Sequence, residues 1–101
     1  MISFKEGVDC TNISDKTFVA ILTAHRIMAR VGVNDLVVTS LRDGEHMAGS
    51  KHYEGDAFDL RIWAFNNLQA RDYTAQLSVD LGDDYDVLLH KTHIHVEYDP
   101  K

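Results

Sequence analysis

At 101 residues the chain is long enough for one domain around one hydrophobic core and too short for two. Ten basic against sixteen acidic residues leave a formal charge of −6, which argues against nucleic-acid binding by phosphate neutralisation and against adhesion to an anionic wall or membrane. No run approaches the ~20 apolar residues of a membrane span, and the lone Cys10 excludes an intramolecular disulfide and a cysteine-based zinc site.

The opening Met-Ile-Ser-Phe-Lys-Glu has neither the basic nor the apolar stretch of a secretory signal, so a cytoplasmic place of synthesis is expected. Ser14 reads as a helix N-cap, with Asp15 favourable against the helix dipole. Phe18, Ile21, Leu22, His25 and Met28 then fall on one stripe, and Gly32 suits a C-terminal cap, which predicts a helix from Asp15 to Val31. Within it His25 reads as a helix-face residue. Leu36 to Leu41 is a strand on its β-branched content. From Arg42 to Gly55 the chain is rich in glycine and charge without periodicity, a long loop of the kind that usually carries function.

Ala57 to Trp63 alternates, with Phe58, Leu60 and Ile62 pointing one way and Ala57, Asp59 and Arg61 the other. A second helix starts at Asn66 or Asn67, buries Leu68, Tyr73, Leu77 and Leu81, and ends at Gly82. Tyr85 to Leu89 is a short strand. His93 to Asp99 is another, with Ile94, Val96 and Tyr98 on the core face and His93, His95, Glu97 and Asp99 on the polar face. No repeat or linker divides the chain, so residues 1–101 are read as a single α+β domain, a small and mainly antiparallel sheet with helices packed on one face.

Asp59 and His95 each lie on the polar side of a strand whose other side is apolar. If those strands pair, both side chains emerge on the sheet face away from the helices. His52 precedes the Asp59 strand closely enough for the chain to turn through Gly55, which tolerates backbone conformations closed to other residues, while Ala57 leaves space beside the metal. Singly, each residue is unremarkable. Together they predict a zinc site of His52, Asp59 and His95 with water as the fourth ligand, the open arrangement of a catalytic rather than a structural zinc. A cupin-like metal oxygenase also uses H-x-H, but it needs further ligands downstream of His95 that this sequence does not offer.

The pattern Ser50-x-His52-x-x-Gly55-x-Ala57-x-Asp59, followed by His93-x-His95, resembles the LAS-type zinc peptidases. That family includes D-alanyl-D-alanine carboxypeptidases and dipeptidases and phage L-alanyl-D-glutamate endolysin peptidases. The resemblance spans roughly residues 36 to 100. It implies the LAS or hedgehog-like fold, zinc as cofactor, a peptidoglycan stem peptide as substrate and, for so small a chain without a wall-binding module, a monomer acting in phage or prophage lysis or in a tail. Thr39-Ser-Leu-Arg42 looks like the strand end that delivers an arginine to the active site, so Arg42 and Ser50 are expected to hold substrate, and Arg42 to stabilise the oxyanion.

Many members place an acidic general base three residues before the last zinc histidine, where this chain has Thr92. Others carry H-x-x-H-x-H, a spacing that His90, His93 and His95 reproduce. His93 shares the strand face of His95 and is the first choice for the base. His90 is the second, needing a bend at Lys91-Thr92 to reach that face, and Glu97 serves more readily to orient a ligand histidine than as the base. The alternative function is a zinc-binding module on the same fold that does not turn over.

Overall fold

The computed structural model describes residues 1–43, 51–52 and 54–100. Five strands and two helices run in the order β1 (Ile2–Phe4), α1 (Asp15–Arg30), β2 (Leu36–Ser40), β3 (Ala57–Arg61), α2 (Asn67–Leu81), β4 (Tyr85–Leu89) and β5 (His93–Tyr98). They form an α+β fold with one mixed sheet of order β1-β2-β3-β5-β4. Every pairing is antiparallel except the parallel β1–β2 edge.

Both helices are held at their starts by side chains. The Ser14 hydroxyl accepts from the Thr17 amide, and Asn66 and Gln69 form a reciprocal capping box. At its C-terminus α1 stops one residue short of the expected end, with Val31 as cap and Gly32 at φ +83° behind it.

One core joins α1 and α2 to a single face of the sheet. Leu36, Val38, Phe58, Leu60, Ile94 and Val96 from alternate strand positions meet Ala20, Ile21, Ala24, Ile27 and Met28 of α1 and Tyr73 and Leu77 of α2. The strict alternation of β3 and β5 therefore leaves Asp59, Arg61, His93, His95 and Glu97 on the opposite face, as the sequence predicts.

The buried stripe of α1 differs from the expected one. Phe18 and Leu22 are 52% and 60% exposed, whereas Thr17, Ala20, Ala24 and Ile27 are buried. The inward stripe carries small side chains at Ala20 and Ala24, and the Ala24 carbonyl accepts from the Tyr73 hydroxyl of α2, so this stripe rather than the larger apolar one is packed inside. Leu68, expected inside, is 65% exposed in the first turn of α2, and Ala70 takes the inward position. His25 is a helix-surface residue whose Nε2 lies 3.2 Å from the Asn34 carbonyl oxygen and 3.1 Å from the N-terminal ammonium. Among the described residues, no helix is long and apolar enough to cross a membrane.

Candidate metal centre

The register of β3 against β5 places Asp59 directly opposite His95. Both point away from the core, which puts a carboxylate and an imidazole side by side at the middle of the sheet. His52 joins them from the turn before β3, where the Gly55 amide donates to His52 O at 3.1 Å and the Asp56 amide to Lys51 O at 3.0 Å.

Gly55 fixes that turn. It adopts φ +78°, and a Cβ there would lie 2.6 Å from the Asn12 carbonyl oxygen. Its own carbonyl accepts from the Ser14 amide at 2.9 Å and from Thr17 Oγ1 at 2.7 Å. The loop that carries His52 is thus fastened to the N-terminus of α1, and His52 is buried with 2% exposure.

Three ligand atoms converge. His95 Nδ1 lies 2.9 Å from Asp59 Oδ1, His52 Nε2 lies 3.2 Å from the same oxygen, and the two nitrogens are 3.2 Å apart. Atoms ~2.0–2.1 Å from a tetrahedral zinc would stand about 3.3 Å from one another. The outward-facing nitrogens fix the tautomers. His52 Nδ1–H donates to the Leu41 carbonyl at 2.6 Å, and His95 Nε2–H donates to Glu97 Oε1 at 2.8 Å. Neutral rings held this way turn two nitrogen lone pairs and a carboxylate oxygen toward one point, a mutually repulsive set unless a cation or a proton lies among them. The donor set of two imidazoles and one carboxylate, buried and oriented from outside, can hold a metal ion.

Electrostatics agree with that geometry. Burial works to raise the Asp59 pKa, but the hydrogen bonds to His52 and His95 outweigh it and hold the carboxyl well below its ordinary range. The Asp59 hydrogen bond, helped by Glu97 against the opposing effect of burial, raises His95. The same surroundings that favour positive charge on His95 would favour a cation among the three groups. His93 is shifted down, first by burial and then by its histidine neighbours, against the pull of Asp59.

The remaining candidates gather unevenly. His93 stands on the same face with Nε2 3.9 Å from Asp59 Oδ2, and its Nδ1 is hydrogen-bonded to Thr92 Oγ1 at 3.0 Å. His90 is not turned away: a tight β4–β5 turn, with the His90 amide donating to His93 O at 2.9 Å, places it across from His93. Their ring centroids are 4.9 Å apart, and His90 lies 6.3 Å from His95. The bend that the sequence required at Lys91-Thr92 is this hairpin turn. Glu97 orients His95. Arg42 follows the carbonyl that anchors His52, but its Nη1 donates to Thr11 O at 3.3 Å and its Nε is buried without a hydrogen-bond partner. Ser50 lies outside the described residues.

A cavity of about 290 Å³ opens beside Asp59 and His93, with Lys5, Arg61 and Trp63 in its wall. No sequence motif marks these three. Arg61 was legible as a neighbour, since it shares the alternation of Asp59, but nothing local brings Lys5 to the same place.

No protein-family profile, curated protein sequence or solved structure matches the chain.

Proposed function

We propose that the chain is a zinc-dependent peptidase of the LAS type that hydrolyses a peptide bond in peptidoglycan stem peptides, in a phage or prophage setting where it reaches the wall after release or from a particle. The observation that carries this reading is the inward convergence of His52 Nε2, His95 Nδ1 and Asp59 Oδ1, with both outer ring nitrogens already bonded. It brings together the histidines and the aspartate of the Ser50 to Asp59 pattern and His-x-His.

Zinc at these three residues would supply Lewis acidity, lowering the pKa of bound water and polarising a carbonyl. His93 is assigned the proton transfers. With Nδ1–H donating to Thr92 Oγ1, the ring presents Nε2 toward Asp59, where it accepts a proton from the attacking water and returns it to the departing amine nitrogen. His90, stacked near His93, is the second choice for that role. Glu97 keeps His95 in its ligating orientation. Arg42 and Ser50 hold the substrate, Arg42 at the carbonyl that develops negative charge.

The test is release of amino groups from purified peptidoglycan by zinc-loaded protein, beside a chelated sample and Asp59→Ala, with mass spectrometry of the fragments. Zinc-dependent release lost in Asp59→Ala is expected. A second reading, a zinc-binding module without turnover, is favoured by Thr92 at the position where relatives carry an acid and by the engagement of Glu97 with His95. Stoichiometric zinc with no fragment release from folded protein would establish that module in place of the peptidase.

A further inference from the structure

We propose that the cavity beside Asp59 and His93 is an anion subsite in which Lys5 and Arg61 hold the carboxylate of a peptide-like ligand. This rests on the peptidase reading for its context, but the cavity and its cations stand on their own geometry.

Two cations face one space in a chain of net charge −6. Among the described residues Arg30 pairs with Asp80, and Lys51 with Glu54 and Asp99. Lys5 and Arg61 form no ion pair with any described residue. They come from two strands far apart in the chain, one at the edge of the sheet and one at its centre. Lys5 follows β1 and is placed by its amide bond to Val38 O at 2.9 Å, while Arg61 ends β3 opposite His93.

Arg61 is also shaped for recognition. Its guanidinium carbon lies 3.8 Å from the centre of the Trp63 ring. Stacking on the ring engages the flat face of the guanidinium, limits its rotation and leaves the in-plane N–H donors for an anion. That stack also accounts for Trp63, which is 78% exposed two residues beyond β3. Thr39 and Ser40 of β2 add hydroxyls to the floor of the cavity.

The position sets what such a ligand does. Arg61 is two residues along β3 from Asp59, a separation of about 7 Å on one strand face. A ligand carboxylate between Arg61 and Lys5 therefore leaves room for roughly one residue of peptide before the candidate metal. The volume of about 290 Å³ suits a group of that size. The site would select peptides with a free carboxylate close to the reacting bond.

Trp63 is the single tryptophan of the chain, so its fluorescence reads this cavity directly. Zinc-loaded protein is titrated with N-acetylglycine, N-acetylglycinamide and inorganic phosphate. A saturable change with N-acetylglycine is expected, about tenfold weaker with the amide, because a charge-assisted pair is replaced by a neutral contact. Arg61→Gln and Lys5→Met should each weaken N-acetylglycine by a similar factor at unchanged zinc content.

Metal-stripped wild type and Asp59→Ala should both still bind the carboxylate, which separates this subsite from direct ligation of the metal. Equal binding of acid and amide, wild-type binding by both cation variants, tighter binding of phosphate, or loss of binding on stripping the metal would overturn the proposal. The peptidase reading fails separately: fragment release would be absent while the carboxylate preference persists. Conversely, fragment release that Arg61→Gln and Lys5→Met leave unchanged would sink the subsite alone.

Discussion

Two hydrogen bonds made away from the centre decide which atoms face into it. His52 presents Nε2 because Nδ1–H is bound to Leu41 O, and His95 presents Nδ1 because Nε2–H is bound to Glu97. Removing the charge of Glu97 leaves an acceptor in place but makes His95 a poorer base. Glu97→Gln should therefore lower zinc affinity about 10–100-fold, read by competition with a chromogenic chelator, while the fold persists. An unchanged affinity would remove Glu97 from the centre. His95→Ala and Asp59→Ala should abolish zinc binding outright, since two ligands remain. His93→Ala should retain the metal and lose the rate, and a wild-type rate in that variant would reassign the proton transfer. The three converging residues were readable from the sequence because strand alternation and a short motif mark them. The cation pair was not, because Lys5 and Arg61 meet only through tertiary structure.

At the scale of elements, the turn at Gly55 and helix α1 act as one unit. Gly55 combines a left-handed backbone with close approach to Asn12 O, so an added methyl meets backbone rather than a yielding side chain. Gly55→Ala should destabilise the chain by about 1–3 kcal/mol from backbone strain, with the steric contact adding to it. Thermal melts would show this, and a variant as stable as wild type would contradict the geometry. Helix α2 is joined to α1 by the Tyr73 hydroxyl, which donates to Ala24 O at 2.6 Å inside the core. Burial raises the Tyr73 pKa, as expected of a phenol kept neutral. Tyr73→Phe should cost about 1 kcal/mol in chemical denaturation, the net worth of one such bond. Both helices were visible in the sequence through their caps and periodicity. The inward face of α1 was not, because Ala20 and Ala24 carry less apolar surface than the exposed Phe18 and Leu22, so a hydrophobicity pattern favours the other stripe. Strand β1 escaped for a different reason: three residues carry little alternation, and their partner β2 lies far along the chain.

For the molecule as a whole, the proposed metal links strands β3 and β5 to the turn held by α1, so binding should be visible in global stability. A ligand present at 1,000 times its dissociation constant stabilises the native state by about 4 kcal/mol. Removing zinc should lower the melting temperature of the wild type and leave Asp59→Ala unaffected. Equal responses to chelator in the two proteins would show that the metal is not bound by this group.

One further consequence follows from the alternation of β5. Ile94 and Val96 enter the core while His93, His95 and Glu97 line the opposite face, and both sets are read from the same six-residue strand. A shift of one position in its pairing would send imidazoles inward and isoleucine and valine outward together. The hydrophobic penalty of that slip protects the polar face: the core acts as a proofreader for the candidate metal centre, rejecting the misaligned strand without any contact to His95. Insertions within β5 should thus be lost as unfolded chains, and the centre inherits a positional accuracy that its own few ligands do not have to supply.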